Sequence, residues 1–198
     1  MPAQSRRELV TGPAGKIECA VDEPEGGATR GVALVAHPHP LYGGSLDNKV
    51  AQTLARAFLE LGYTSWRPNF RGVGASEGSH DEGRGELEDL AVVLAHAGAE
   101  RPVLAGFSFG AALSAQLSQR VPCERLVLVG LAVTKLPVPH VAADTLVIHG
   151  EEDTTAPLAD LLAWARPQDL PVVVLPGTDH FFHRKLPLLR SIVKGNWK

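Results

Sequence analysis

Cysteine is scarce in this chain, since only Cys19 and Cys123 occur among 198 residues. Two thiols that lie far apart in a sequence without an export signal are expected to stay free, which argues against a disulfide-stapled secreted fold. Neither cysteine has the spacing of a metal site, so both are predicted to be structural.

Long apolar runs and basic blocks are also absent. The stretch 126–133 is far too short to span a bilayer, and no apolar segment follows Arg6 and Arg7 as a secretory signal would require. Nineteen Lys and Arg against 22 Asp and Glu give a formal charge of -3, with no patch suited to phosphate backbones. We expect a cytoplasmic protein that binds neither membrane nor nucleic acid, and the sequence leaves its oligomeric state open.

What is present is an ordinary globular composition, with 44% apolar and 21% charged residues. A chain of 198 residues suits one hydrophobic core, so a single domain over 1–198 is predicted.

Short aliphatic segments alternate with longer amphipathic ones, which predicts a mostly parallel sheet with helices on both faces. Parallel strands are expected at residues 31–36, 63–68, 103–107, 126–129, 145–148 and 172–175, after an antiparallel edge strand at 16–21. Helices are expected at residues 48–61, 87–97, 111–120, 158–164 and 186–193. Right-handed crossovers make this a doubly wound sheet, whose ligands lie at the carboxyl ends of the strands.

Residues 106–110, Gly-Phe-Ser-Phe-Gly, have the form G-x-S-x-G and stand where a strand ends and a helix begins. A sharp turn there holds Ser108 in a strained backbone conformation, and the flanking glycines relieve clashes with neighbouring chain. In a sequence this rich in glycine the bare pattern arises by chance roughly once in ten, so the strand-to-helix context carries the prediction. Ser108 is the candidate nucleophile.

A serine hydroxyl needs a base to take its proton and a third group to hold that base. With this type of turn, the acid and then the histidine follow the serine along the chain. Asp153, in the loop after the strand at 145–148, is the predicted acid, with Glu152 in reserve. His180 follows the last strand and is the predicted base, with His183 as a nearby rival.

Negative charge on the tetrahedral intermediate is predicted to be stabilised by backbone N–H groups. Phe109, directly after the nucleophile, supplies one of them. The loop 37–44 supplies the second, and because its two prolines lack an N–H, the donors left are His39, which we favour, Leu41 and Tyr42.

Tyr42, Gly43 and Gly44 are predicted to border the substrate, because two glycines allow its close approach. His37 and His39 also raise the possibility of a metal site, but they lack a third clustered ligand, and no metal is predicted. His80, Asp81 and Arg84, in the loop 69–85, could line the pocket, although such residues more often belong to a solvated loop and a helix cap.

Segments 36–44, 47–50, 69–78 and 106–110 together resemble the small, lidless bacterial α/β hydrolases related to dienelactone hydrolases and prolyl oligopeptidase catalytic domains. The resemblance covers nearly the whole chain and includes the loops at 150–153 and 179–182. It implies an α/β-hydrolase fold, the catalytic set Ser108, Asp153 and His180, and carboxylesterase-type activity on small substrates. Ser108 stands where dienelactone hydrolases have cysteine, so lactones are not the expected substrates.

The connection between residues 133 and 145 is short and contains proline, which leaves no room for a cap domain. An open site is therefore predicted, in a serine hydrolase that cleaves small, short-acyl esters through an acyl-enzyme and requires no cofactor. Thioesterase, amidase or peptidase, and acyltransferase activities could use the same side chains. A non-catalytic member of the fold that only binds a ligand is the alternative from a different class.

Overall fold

The structure is a computed structural model that describes residues 4–27 and 29–197. Over these residues the chain forms one eight-stranded sheet in the order β1-β2-β4-β3-β5-β6-β7-β8. The strands are β1 Gln4–Gly12, β2 Gly15–Glu23, β3 Val32–Ala36, β4 Thr64–Pro68, β5 Val103–Phe107, β6 Arg125–Val129, β7 Leu146–Gly150 and β8 Val172–Leu175. Strands β3 to β8 pair in parallel, whereas β2 runs antiparallel to both of its neighbours.

Helices cover both faces of this sheet, as the alternating pattern predicts. They are α1 Lys49–Glu60, α2 Arg84–His96, α3 Phe109–Leu117, α4 Leu158–Ala165 and α5 Leu186–Gly195. Helices α1 and α5 pack with one hydrophobic cluster, and α2, α3 and α4 pack with another. Within β5, Val103, Ala105 and Phe107 belong to the first cluster and Leu104 to the second, because successive side chains of a strand point to opposite faces.

Helix α1 shows how the sequence specifies these elements. The side chain of Asn48 accepts hydrogen bonds from the N–H groups of Val50 (2.9 Å) and Ala51 (3.2 Å), which caps the start of the helix. Gly62, at φ +91°, follows its end in the left-handed conformation that glycine adopts without strain. The helix predicted at 48–61 is therefore confirmed.

The amino-terminal hairpin differs from the prediction. Residues 16–21 do form an antiparallel strand, but β2 lies between β1 and β4 and is not an edge. The true edge, β1, escaped prediction because it carries Arg6, Arg7 and Glu8, and among its residues 5–12 only Val10 is well buried. Charged residues are typical of an edge strand that must not pair with another chain.

The connection from β6 to β7 contains neither helix nor strand over residues 130–145, so no cap is inserted at this point. This connection therefore adds no further layer over the carboxyl ends of the parallel strands. None of the helices in the described ranges is long and apolar enough to cross a membrane.

Candidate active site

The turn between β5 and α3 holds Ser108 at φ 55° and ψ -115°, a region that side-chain-bearing residues rarely occupy. Two glycines make this turn possible. A Cβ on Gly106 would lie 2.2 Å from the carbonyl oxygen of Gly110, and a Cβ on Gly110 would lie 2.3 Å from that of Ala36. Helix α3 starts at Phe109, two residues earlier than predicted, because Ser108 itself stands at its amino-terminal cap.

Three loops bring Ser108, His180 and Asp153 into a continuous chain of hydrogen bonds. The His180 Nε2 atom lies 3.1 Å from Ser108 Oγ, and His180 Nδ1 lies 2.6 Å from Asp153 Oδ2. These residues follow β5, β8 and β7 and are 7%, 5% and 4% exposed, respectively. The arrangement places an imidazole between a hydroxyl and a carboxylate, the order that proton transfer from the serine requires.

The two reserve candidates point elsewhere. Glu152 is exposed to solvent although it precedes Asp153 directly. His183 is also exposed, and its Nδ1 atom pairs with the carboxylate of Asp179. Neither side chain contacts Ser108.

The carboxylate of Asp153 divides its two oxygens between the loop and the histidine. Its Oδ1 atom accepts hydrogen bonds from the N–H groups of Thr155 (3.0 Å) and Ala156 (2.7 Å). Its Oδ2 atom faces His180. Helix α4 begins only at Leu158, so Asp153 stabilises the preceding turn and does not cap that helix.

His149 is a neighbour of this carboxylate that the sequence analysis did not single out. Its ring is fully buried, and its Nε2 atom lies 2.7 Å from the Ala156 carbonyl oxygen and 3.5 Å from Asp153 Oδ2. Burial lowers the pKa of His149, so the ring is neutral and donates its Nε2 proton to the Ala156 carbonyl. The signal was its position in β7, four residues before Asp153.

Aromatic rings and a glycine fix the plane of the His180 imidazole. The rings of Phe107 and Phe181 lie 4.8 Å and 5.2 Å from it, centroid to centroid. Gly130 leaves space for this stack, because a Cβ there would lie 2.9 Å from Phe107 and 3.4 Å from His180 Cε1. Gly130 also adopts φ +55°, so any other residue would be strained.

The loop after β3 brings His39 against Phe109, with ring centroids 4.8 Å apart. The N–H of Leu41 donates to His39 Nδ1 (3.3 Å), and the N–H of Tyr42 donates to the His39 carbonyl oxygen (3.1 Å). The N–H groups of His39 and Phe109 donate to no other residue of the described ranges. Of the three donors that the prolines leave open, His39 is thus the one whose N–H is not already used.

The predicted substrate-contacting residues have different surroundings. Tyr42 is 86% exposed and packs its ring against His39 at 4.7 Å. Gly43 takes a left-handed φ of +79° at the end of a short 3-10 turn. Gly44 is buried, and a Cβ there would lie 2.1 Å from the Pro38 carbonyl oxygen. Glycine is therefore required at 44 because the loop packs closely against itself, whereas the reason expected from the sequence was close approach of the substrate.

His80 lies beside this loop, with its ring centroid 4.9 Å from His39 and 5.7 Å from Phe109. Its Nδ1 atom is 2.8 Å from Oε1 of Glu86, a fully buried carboxylate. Glu86 also accepts hydrogen bonds from the N–H groups of Asp81 and Gly83, both at 2.9 Å. Asp81 instead pairs with Arg84 at the surface. Of the loop residues predicted to border the pocket, His80 is the one placed next to it.

His37 is not available as a metal ligand. Its Nδ1 atom lies 2.6 Å from the Pro38 carbonyl oxygen, and its Nε2 atom accepts the N–H of Phe70 at 3.0 Å. Both ring nitrogens therefore hold backbone in place. Within the described ranges, no three His, Cys, Asp or Glu side chains cluster as a metal site would require.

Burial lowers the pKa of His37 to about 4 from its ordinary 6.5. Below pH 6.5 the unfolded chain binds a proton that the folded chain refuses, so the free energy of unfolding should fall as the pH drops towards 4. This group contributes about 3 kcal/mol to that fall and no loss above pH 6.5. Urea unfolding at several pH values measures it. His149 acts in the same direction, so His37→Gln should flatten the dependence only in part, and an unchanged profile in that variant would contradict the assignment.

Comparison with known proteins supports the fold. A family model described as alpha/beta hydrolase fold matches residues 39–144. The match covers more than half of the chain, which therefore belongs to this α/β hydrolase family.

Among its solved relatives is an α/β serine hydrolase homologue from Coxiella burnetii, with 37% identity, 98% of this chain and 97% of that chain covered, and a TM-score of 0.90. Another is XC6422 from Xanthomonas campestris, described as an α/β serine hydrolase without lid, with 36% identity, coverage of 99% and 94%, and a TM-score of 0.90. The resemblance to lidless bacterial hydrolases is thus confirmed, while the narrower relation to dienelactone hydrolases stays a prediction.

A curated relative, uncharacterized protein RP471 of Rickettsia prowazekii (strain Madrid E), is 44% identical over 96 residues. That alignment covers 46% of this chain and only 40% of the relative, so the match spans less than half of that protein.

Proposed function

We propose that this protein is a serine esterase that cleaves small carboxylic esters through an acyl-enzyme. The observation that carries the proposal is the position of His180, with one ring nitrogen 3.1 Å from Ser108 Oγ and the other 2.6 Å from Asp153 Oδ2. Both distances are within hydrogen-bond reach, which is the geometric requirement for a nucleophile, its base and the group that orients the base.

In the first step, Ser108 Oγ forms a bond to the ester carbonyl carbon while its proton passes to His180 Nε2. Asp153 Oδ2 accepts a hydrogen bond from the Nδ1–H of the resulting imidazolium and stabilises its charge. The negative oxygen of the tetrahedral intermediate accepts hydrogen bonds from the N–H groups of Phe109 and His39. Collapse of the intermediate breaks the C–O bond to the leaving group, and His180 gives its proton to the departing alcohol.

In the second step, water replaces the alcohol. The water oxygen attacks the acyl carbon while His180 takes a proton from the water. The bond from that carbon to Ser108 Oγ then breaks. The proton on His180 returns to Ser108, and the acid product leaves. These side chains and backbone groups supply every proton and charge that the reaction needs, so the proposal includes no metal or organic cofactor.

We place the protein in the cytoplasm. Cys19 and Cys123 are both free thiols, as predicted, and free cysteines suit a reducing compartment. Cys19 is buried, and burial raises the pKa of its thiol to about 12, so it stays protonated and inert.

The proposal predicts a preference for short acyl chains. The connection at 130–145 contributes no cap, and two aromatic side chains beside the site, Phe181 against His180 and Tyr42 against His39, are 49% and 86% exposed. A long acyl chain would therefore gain little buried contact. We expect kcat/KM for p-nitrophenyl acetate and butyrate to be at least as high as that for the dodecanoate.

Initial rates for this ester series test both parts of the proposal. Absence of hydrolysis of every ester would contradict the esterase, and the ligand-binding alternative would then be favoured. Hydrolysis of the dodecanoate far faster than of the acetate would retain the esterase but overturn the open site.

A further inference from the structure

A groove between helices α1 and α5 has a volume of about 360 Å³, within the range of small-molecule sites. The groove is lined by Lys49, Gln52, Thr53, Arg56, Leu186, Pro187 and Arg190. The α1 residues recur every three or four positions, so they share one face of that helix. None of these residues belongs to the triad or to the loop that holds His39.

The charges in this α1–α5 groove all have one sign. Lys49, Arg56 and Arg190 are cationic, and no carboxylate lines the groove. This is notable in a chain whose net charge is -3. A concave surface lined by one sign of charge raises the local concentration of opposite ions, so the groove attracts anions that the protein as a whole repels.

Among the described residues, a carboxylate pairs with only one of the three groove cations, Arg190. Glu60 is engaged by Arg190 (3.1 Å) and Lys194 (2.7 Å), which lowers the pKa of its carboxyl and orients the Arg190 guanidinium. Arg56 attracts Glu60 only through space. Over the ranges that the structure describes, neither Lys49 nor Arg56 forms an ion pair with an acidic side chain, and both are exposed to solvent.

Asp47 is the acidic residue that precedes Lys49 most closely, and it too has other partners. Its carboxylate accepts hydrogen bonds from Arg7 Nη2 at 3.2 Å and from Gln52 Nε2 at 3.3 Å. Lys49 and Arg56 are thus cations without an ion pair in the described ranges. They lie beside Arg190, which Glu60 holds in position.

We propose that the α1–α5 groove is a binding site for a small molecule with a phosphate or carboxylate head and a short apolar body. Guanidinium groups bind both heads through paired hydrogen bonds, which explains two arginines facing one space. Leu186 and Pro187 offer the apolar body a surface between the cations. The site is separate from the proposed esterase site and does not depend on that function.

Titration of inorganic phosphate, butyl phosphate and butyrate into the protein, followed by amide chemical shifts, tests the proposal. We expect saturable binding of at least one anionic head, with shift changes confined to α1 and α5. Arg56→Gln should weaken binding by about tenfold or more, the usual cost of losing a hydrogen bond between charged groups. Arg166→Gln is the matched control, because Arg166 is also an exposed arginine without an ion pair in the described ranges, and should leave binding unchanged.

The three ligands separate the possible occupants. Binding of both phosphates but not butyrate identifies a phosphate site, binding of butyrate alone identifies a carboxylate site, and tighter binding of butyl phosphate than of phosphate supports the apolar contact. Three outcomes overturn the proposal: no saturation by any of the ligands, shifts centred on the loops around Ser108, or equal weakening by Arg56→Gln and Arg166→Gln.

Discussion

Ser108→Ala is expected to reduce kcat for ester hydrolysis by about 10³-fold or more, while substrate binding and the fold stay intact. The reason is local, because the variant removes only Oγ, the atom that lies 3.1 Å from His180 Nε2. The strained turn does not depend on the hydroxyl, since Ser108 is held there by its N–H, which donates to the Val129 carbonyl oxygen at 2.9 Å. Steady-state kinetics with p-nitrophenyl acetate measures the effect.

Covalent labelling tests the assignment of Ser108 as the nucleophile without any substrate. A fluorophosphonate probe should label the unaltered protein at Ser108 and should not label Ser108→Ala. Ser118→Ala serves as the control, because Ser118 stands at the carboxyl end of the helix that Ser108 begins and its hydroxyl donates to the Ala115 carbonyl, away from the site. Undiminished turnover in Ser108→Ala would eliminate the assignment, as would labelling at another serine.

The triad geometry could be predicted because its elements are local in sequence. Ser108 directly follows β5, Asp153 and His180 lie in the loops after β7 and β8, and parallel strands end at one edge of a sheet. The chain order of serine, acid and histidine then leaves few choices, and the structure brings Ser108, Asp153 and His180 together. Asp153 is predicted over Glu152 because it precedes an expected helix start, where backbone N–H groups can hold a carboxylate. The helix begins only at Leu158, but the N–H groups of Thr155 and Ala156 do donate to Asp153.

Features that depend on packing between distant segments could not be predicted. The close contact of Gly44 with the Pro38 carbonyl follows from the path of a loop, which no pattern of residues displays. The pairing of His80 with the buried Glu86, six residues later, follows from the fold of a glycine-rich loop that lacks periodicity. Strand β1 was not predicted for another reason, since among its residues 5–12 only Val10 is buried.

Asp153→Asn is expected to lower kcat by about 10² to 10⁴-fold although the side chain keeps its shape. Asp153 Oδ1 accepts hydrogen bonds from the N–H groups of Thr155 and Ala156. The amide oxygen of an asparagine must therefore take that position. Its NH₂ group then occupies the Oδ2 position and donates to His180 Nδ1. The imidazole would consequently carry its proton on Nε2 and could no longer accept the proton of Ser108.

Kinetics of Asp153→Asn beside Glu152→Gln separate this effect from a general loss of negative charge in the loop. Glu152 is exposed and adjacent, so its amide variant removes the same charge without touching His180. We expect the second variant to retain nearly full kcat and both to unfold at similar urea concentrations, because the amide oxygen preserves the turn. Full activity in Asp153→Asn would show that the carboxylate does not set the tautomer of His180, and the two-step acyl transfer would then need a different third member.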